Sequence, residues 1–402
     1  MIRISALGWM LLAIPLSLEA QTSVTLYGIA EGNLRLDHTN IGTLKSVGSG
    51  GESGNRWGIR GVEDLGDGLK ASFIFEQGFD ISDNSGNQGN IGGGASGGFG
   101  GSSTAPHGST GARLFGRTAV VGLSGSFGSV RFGRDYSPTF LLQALVDPFG
   151  SGTVGLAANV FVNLNARNDN AVYYDTPRIL GFQGSVLYQF GESTTDNSLP
   201  AATGQAKRGN DRVGAGFTYS NGPFFGGVAY EHIRSNLDLY AVQNFDAGAA
   251  YDFGFIKLHA LYWATKNDNT NANSAFGSVV SLSERAYFVG ATVPFGAWTL
   301  LGGYGHLDDR STSNVAGSDL GRPRANFFAA GAKYSLSKRT ILYAAYGRFD
   351  LKTGPNGNPF QGFVGIQDAS NFGLETPANL LSPAGRSNVN PWTAQAGIRQ
   401  SF

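Results

Sequence analysis

Seven short segments of turn-forming residues punctuate this chain: Leu65-Gly66-Asp67-Gly68, Gly125-Ser126-Phe127-Gly128, Leu180-Gly181-Phe182, Asn221-Gly222-Pro223, Asp252-Phe253-Gly254, Phe295-Gly296-Ala297 and Leu336-Ser337-Lys338-Arg339. Glycine reaches backbone angles that other residues resist, and Asp, Asn and Pro favour tight reversals. Longer polar connections lie between one such segment and the next. If each segment joins two strands, and one further strand at each end closes the sheet, the chain holds sixteen antiparallel strands. An even strand number, with short turns on one rim and long loops on the other, is the plan of a transmembrane β-barrel.

Hydropathy alternates with the period of a strand. From the first strand onward, Val24, Leu26, Gly28, Ala30, Gly32 and Leu34 fall on one face, and Thr25, Tyr27, Ile29, Glu31, Asn33 and Arg35 on the other. The pattern returns in Val213, Ala215, Phe217 and Tyr219, in Ile256, Leu258, Ala260 and Tyr262, in Tyr287, Val289, Ala291 and Val293, and in Phe328, Ala330, Ala332 and Tyr334. About ten such residues, tilted, cross the hydrocarbon layer. A soluble sandwich also alternates, but its apolar face must be packed by large side chains from a second sheet. Here Ala and Gly interspersed with Tyr and Phe suit a lipid-coated surface, while charges recur on the opposite face, which a wet interior tolerates and a dry core does not. The last strand places Trp392, Ala394, Ala396, Ile398, Gln400 and Phe402 on the lipid-type face. It must hydrogen-bond to the first strand, around Val24 to Leu36, because an open edge cannot stand in hydrocarbon.

Residues 1–20 read as a secretory signal peptide, with Arg3 before a mostly apolar run from Ile4 to Leu16. Residues 21–402 then form one barrel domain. The whole chain carries 29 basic and 29 acidic residues and no cysteine. That composition excludes disulfides and thiolate metal sites, and it lacks the basic footprint of a nucleic-acid-binding chain. No run of eighteen apolar residues follows the leader, which excludes a helical membrane protein.

No catalytic centre is legible. His38, His107, His232, His259 and His306 lack metal-spaced neighbours. Gly94-Ala95-Ser96-Gly97-Gly98 spells a nucleophile elbow and Gly92 to Gly101 a dinucleotide fingerprint, but neither has the surrounding strand-turn-helix or βαβ context. A flexible external loop is the expected state of that stretch. Lys266 to Asn273 lacks the spaced carboxylates of a calcium loop and reads as solvated connection. The chain is therefore expected to be neither an enzyme nor a cofactor carrier. Tyr27 and Trp263 face inward by register, which keeps open a channel specific for a sugar or for an aromatic or organic acid.

Dispersed motifs then carry a resemblance. Ser23-Val24-Thr25-Leu26-Tyr27-Gly28, Asn55-Arg56-Trp57-Gly58-Ile59-Arg60-Gly61-Val62-Glu63-Asp64-Leu65-Gly66, Val121 to Gly128, Phe132-Gly133-Arg134-Asp135-Tyr136, Tyr334 to Thr340 and the terminal Gly397 to Phe402 occur in order. The chain resembles the general diffusion porins of Gram-negative bacteria, most closely the β-proteobacterial type, over residues 21–402. The resemblance implies an outer-membrane homotrimer in which each subunit is a water-filled channel for ions and small hydrophilic solutes, narrowed by its third long loop. It also implies contact with outer-membrane lipid and lipopolysaccharide, and delivery to the barrel assembly machinery through the strand ending in Phe402.

The third loop is expected from about Tyr136 to about Asn168, folded inward, with Phe140, Leu141, Leu142, Leu145, Val146, Phe149, Leu156, Phe161 and Val162 packed on the inner wall. The resemblance places Arg56, Arg60 and Arg134 in a basic wall cluster and Asp147 in the loop opposite. Alternation alone sets Arg134 on the side of Phe132, so a bulge near Gly133 is needed to turn it inward. Arg117 is assigned inward because charge facing lipid costs ~2–4 kcal/mol near the midplane. Together Arg56, Arg60, Arg117, Arg134 and Asp147 form the expected constriction, with Glu31 and Glu76 as inward acids that offset part of the charge. Arginines facing few loop acids predict a preference for anions.

Overall fold

The computed structural model describes residues 23–39, 42–81, 114–160, 166–191, 211–234, 240–269, 279–313, 322, 324–352 and 390–402. The leader at 1–20 and the glycine-rich stretch 92–101 lie outside them, as do residues 270–273 and the loop residues Phe161 and Val162. The strand segments are β1 (Ser23–Thr39), β2 (Gly42–Ser49), β3 (Arg56–Gly66), β4 (Leu69–Gly78), β5 (Thr118–Gly125), β6 (Gly128–Tyr136), β7 (Arg167–Asp175), β8 (Phe182–Gln189) and β9 (Arg212–Asn221). They continue as β10 (Phe224–Arg234), β11 (Tyr240–Asp252), β12 (Lys257–Asn269), β13 (Val279–Phe295), β14 (Trp298–Asp309), β15 (Thr312–Ser313), β16 (Arg324–Ser335), β17 (Thr340–Lys352) and β18 (Trp392–Ser401).

These segments form one antiparallel sheet of sixteen strands, because two strand positions are each built from two segments. One edge of β1 meets β2 from Gly32 to Thr39 and β3 from Ser23 to Ile29, so β2 and β3 share a single place beside it. Likewise β14 and β15 both pair with β13. All seven anticipated turns join consecutive strands. The sheet closes where β1 meets β18, with Gly32 opposite Ile398 and His38 opposite Trp392. Gly28 and Phe402 exchange both backbone hydrogen bonds at 3.1 Å across that seam. A closed sheet leaves no unpaired edge, the condition for standing in lipid.

The two faces differ as the alternation predicted. Leu26, Leu34, Val213, Phe217, Tyr262, Tyr287, Val289, Phe328 and Ile398 are exposed on the outer face. Glu31, Asn33, Arg35, Asp37, Glu231, Asn244, Asp246 and Glu284 are buried on the inner face. Small outward residues carry no packing load here, since lipid tails supply the apolar contact.

Between β6 and β7 the chain makes a helix, α1 (Pro138–Val146), and a short 3-10 turn (Ala157–Asn159). Ser137 caps the helix by accepting the Phe140 amide, and Pro138 fits the first turn, where no amide donor is needed. Leu142 and Val146 pack with Phe149, Val160, Leu261, Trp263, Phe288 and Phe327 in one apolar cluster. Trp263 is therefore covered by this segment and does not line open space, which removes it as a solute guide.

Candidate functional site

The segment from Ser137 to Val160 touches the buried face of the barrel at widely separated strands. At its helical end Thr139 Oγ1 donates to Glu231 Oε1 of β10 at 2.7 Å, and Gln143 Nε2 donates to Asp246 Oδ2 of β11 at 2.9 Å. The Val146 carbonyl meets His259 Nδ1 of β12 at 2.7 Å. At its far end the Thr153 amide donates to the Gly51 carbonyl, next to the second strand position, which in the strand order lies half a circuit from β10 and β11. Gly152 has no room for a side chain there, since a Cβ would stand 1.9 Å from the Glu52 carbonyl oxygen. Glu52 itself is gripped by Lys333 Nζ and Arg399 Nη1, each at 2.7 Å.

Opposite this segment, the wall from β3 to β7 carries the arginines. Arg117 Nε donates to Glu76 Oε1 at 2.7 Å, and its Nη2 donates to the Tyr136 hydroxyl at 3.1 Å. This places Arg117 on the side of Glu76. Arg56 approaches the other oxygen of Glu76 at 3.7 Å and donates to Ser53 Oγ at 2.9 Å. Tyr27 also donates to Glu76, at 3.1 Å, and Arg60 lies over the Tyr27 ring with 5.4 Å to its centre. Arg134 Nε donates to the Gly116 carbonyl at 2.7 Å, with Asp169 at 3.6 Å. The bulge needed to redirect Arg134 is present: the β6–β7 register shifts between Gly133 and Asp135, and Gly133 takes φ +126°. A Cβ on Gly133 would meet the Ala119 carbonyl at 2.1 Å, so only glycine permits this turn.

One basic side chain missing from the expected cluster joins it. The Arg167 guanidinium stacks over the Tyr136 ring at 4.2 Å and hydrogen-bonds the Tyr136 hydroxyl. Its position at the start of β7, just past the third connection, was the available signal. Within this cluster five arginines stand against Glu76 and Asp169, a surplus of three positive charges, while on the same wall Arg131 is paired with both Asp135 and Asp175.

Asp147 is placed differently from its expected role. It is 5 % exposed, and its carboxylate accepts the amides of Phe149 at 2.9 Å, Ser151 at 3.0 Å and Ala157 at 3.0 Å. Burial pushes its pKa up to about 6, against the downward pull of those amides and of the Lys333 charge. The carboxylate organises the loop's own backbone instead of turning toward the arginines. Glu31 is similarly occupied: it accepts the amides of Glu52 and Ser53 and the Tyr343 hydroxyl, the last at 2.5 Å. The Leu141 and Leu145 side chains were expected against the wall but are 40 % and 56 % exposed. They stand one turn apart on the helix face away from Leu142 and Val146.

Comparison with known proteins agrees with this architecture. A family profile described as "Gram-negative porin" matches residues 6–354. The chain is 31 % identical over 381 residues to an outer membrane porin protein of Bordetella pertussis, covering 82 % of this chain and 89 % of that one. It is 28 % identical to outer membrane porin protein 32 of Delftia acidovorans, covering 95 % of both. Among solved structures it is similar to an anion-selective porin from Comamonas acidovorans, with TM-score 0.70 and 25 % identity, covering 95 % of this chain and 100 % of that one.

Proposed function

The chain belongs to the Gram-negative porin family, and from that premise we propose that the third connection and the arginine wall together form the eyelet of an anion-preferring diffusion channel. As an outer-membrane porin it passes small hydrophilic solutes passively. The observation that carries the preference is the arginine wall itself: Arg56, Arg60, Arg117, Arg134 and Arg167 outnumber the acids among them, and the loop acid is turned away. Low-dielectric walls focus such a field, so the eyelet concentrates anions although the whole chain is neutral. The anion-selective relative supports this reading. Reversal potential across a salt gradient in a planar bilayer tests it, and cation preference ends it.

The exposed Leu141 and Leu145 favour a second reading of the same eyelet. A pore that exposes both an arginine wall and an apolar helix face suits organic anions with an apolar body, such as aromatic carboxylates. Saturable current block by benzoate, unmatched by a polar anion of equal size, would support it.

A homotrimer is part of the proposal, as is delivery to the barrel assembly machinery through the strand ending in Phe402. Three equal conductance steps per insertion would support the trimer. Contact with lipopolysaccharide is supported by the outer face. There Phe295, Trp298, Tyr334 and Leu342 form one cross-strand row, and Arg285, Asp308, Arg324 and Lys352 form another ten residues higher. Ten residues tilted near 40° rise about 26 Å, the height of a barrel's apolar band, a separation that supports contact of the three cations with lipid phosphates.

A further inference from the structure

Four oxygen-bearing side chains stand in one cross-strand row on the inner face of β11 to β14. Asn244 is opposite Thr265, Thr265 opposite Glu284, and Glu284 opposite Asp309. Their exposures are 2 %, 1 %, 0 % and 1 %. Neither carboxylate oxygen of Glu284 has a hydrogen-bond partner, and neither does Asn244 Oδ1. Thr265 Oγ1 spends its proton on the Gln243 carbonyl at 3.1 Å, which leaves its lone pairs to accept. Asp309 accepts the Ser311 amide at 2.9 Å. Glu284 forms no ion pair among the described residues.

Two carboxylates facing each other out of water repel, and each has lost its hydration. A shared proton or a cation can relieve this, and the spacing discriminates between cations. Neighbouring strands lie about 4.8 Å apart, while calcium–oxygen distances of about 2.3–2.6 Å put two ligand oxygens about 4.6–5.2 Å apart across the ion. Magnesium, at about 2.0–2.1 Å with strict octahedral demands, fits this span poorly, and zinc prefers nitrogen and sulfur. We propose that Glu284 and Asp309, with Thr265 Oγ1 as a neutral oxygen, bind a calcium-class cation on the inner face of the barrel.

The location gives the ion a task. Regular pairing breaks immediately beyond the row, where β14 ends at Asp309 and β15 resumes at Thr312, and where the β13 register shifts between Val279 and Ser281. An ion bridging Glu284 and Asp309 ties β13 to β14 at the last regular pair.

Terbium, an oxygen-seeking stand-in for calcium, tests this by luminescence in the purified full-length protein in detergent after chelation. Trp263 is buried two residues from Thr265 on the same face and serves as the sensitiser. Saturable terbium emission is expected, displaced by calcium at much lower concentration than by magnesium, with affinity falling at least tenfold in Glu284→Gln and in Asp309→Asn. Heat-modifiable gel mobility reports whether each variant still forms a closed barrel, and calcium content by mass spectrometry of the folded wild type gives an independent reading. Absence of saturable emission and of bound calcium in the wild type, or equal affinity in folded variants, would overturn the proposal and leave the pair sharing a proton.

Discussion

Replacing Arg56 and Arg134 together with glutamine isolates the field of the wall from its architecture. Arg117 holds Glu76 at 2.7 Å, whereas Arg56 stands 3.7 Å from it, so Glu76 keeps its closer partner in the variant. Asp169, the partner of Arg134, is 41 % exposed and can be hydrated when that arginine is lost. The fold should survive. An ion about 6 Å from a guanidinium in water gains or loses about 0.7 kcal/mol, which screening in 0.1 M salt reduces to about 0.4 kcal/mol. Two such contributions change the occupancy of one ion about fourfold, and because anions lose while cations gain, the permeability ratio moves toward cations about fifteenfold. Reversal potentials in a potassium chloride gradient measure that ratio directly. Near 1 M salt the Debye length falls to about 3 Å, so the difference between variant and wild type should nearly vanish there. A folded, conducting variant with an unchanged ratio at low salt, or with stronger anion preference, would show that these arginines do not set selectivity.

Asp147 should add a pH dependence. Its carboxyl is raised to about 6 from the usual 3.8, so protonation favours the docked loop, fully below the unfolded value and progressively less as pH rises through 6. Anion preference should therefore increase between pH 7 and 5 as this acid is neutralised, with that step absent in Asp147→Asn, as read by reversal potential. Gly152→Ala should push the loop from Glu52, since its methyl group has nowhere to go; larger single-channel conductance with weaker selectivity is expected. Removing one helical latch in Thr139→Val takes away a buried hydrogen bond to a charged acceptor, a loss of about 1.5–3 kcal/mol, and should appear as extra open-channel noise without loss of the barrel. Serine at Leu141 and Leu145 should abolish any selective block by benzoate while leaving chloride conductance within about twofold.

Much of the barrel was readable because its physics is local. Each turn announces itself in three or four residues, and the period of two follows from the pleat, so strand number, faces and the β1–β18 seam could be worked out without tertiary contacts. The Gly133 bulge was also legible, since a charged residue stood on the wrong face unless the register slipped. The loop was harder. Alternation carries no information where there is no strand, and nothing near Asp147 announces that its oxygens bind three amides of its own segment. Leu141 and Leu145 look the same as Leu142 in sequence; only the helix phase against β10 to β12 separates them. The doubled places, β2 with β3 and β14 with β15, were invisible for a similar reason, because an interruption within one strand resembles a connection between two.

The Gly28–Phe402 seam constrains how this molecule is made as well as how it stands. One edge of the first strand pairs early with β2 and β3, but the other can pair only once β18 has been made, so a nascent product without β18 keeps a raw border. Such a topology enforces patience: the cylinder locks only when β18 is present, and a chain cut short upstream of it is barred from completing the circuit.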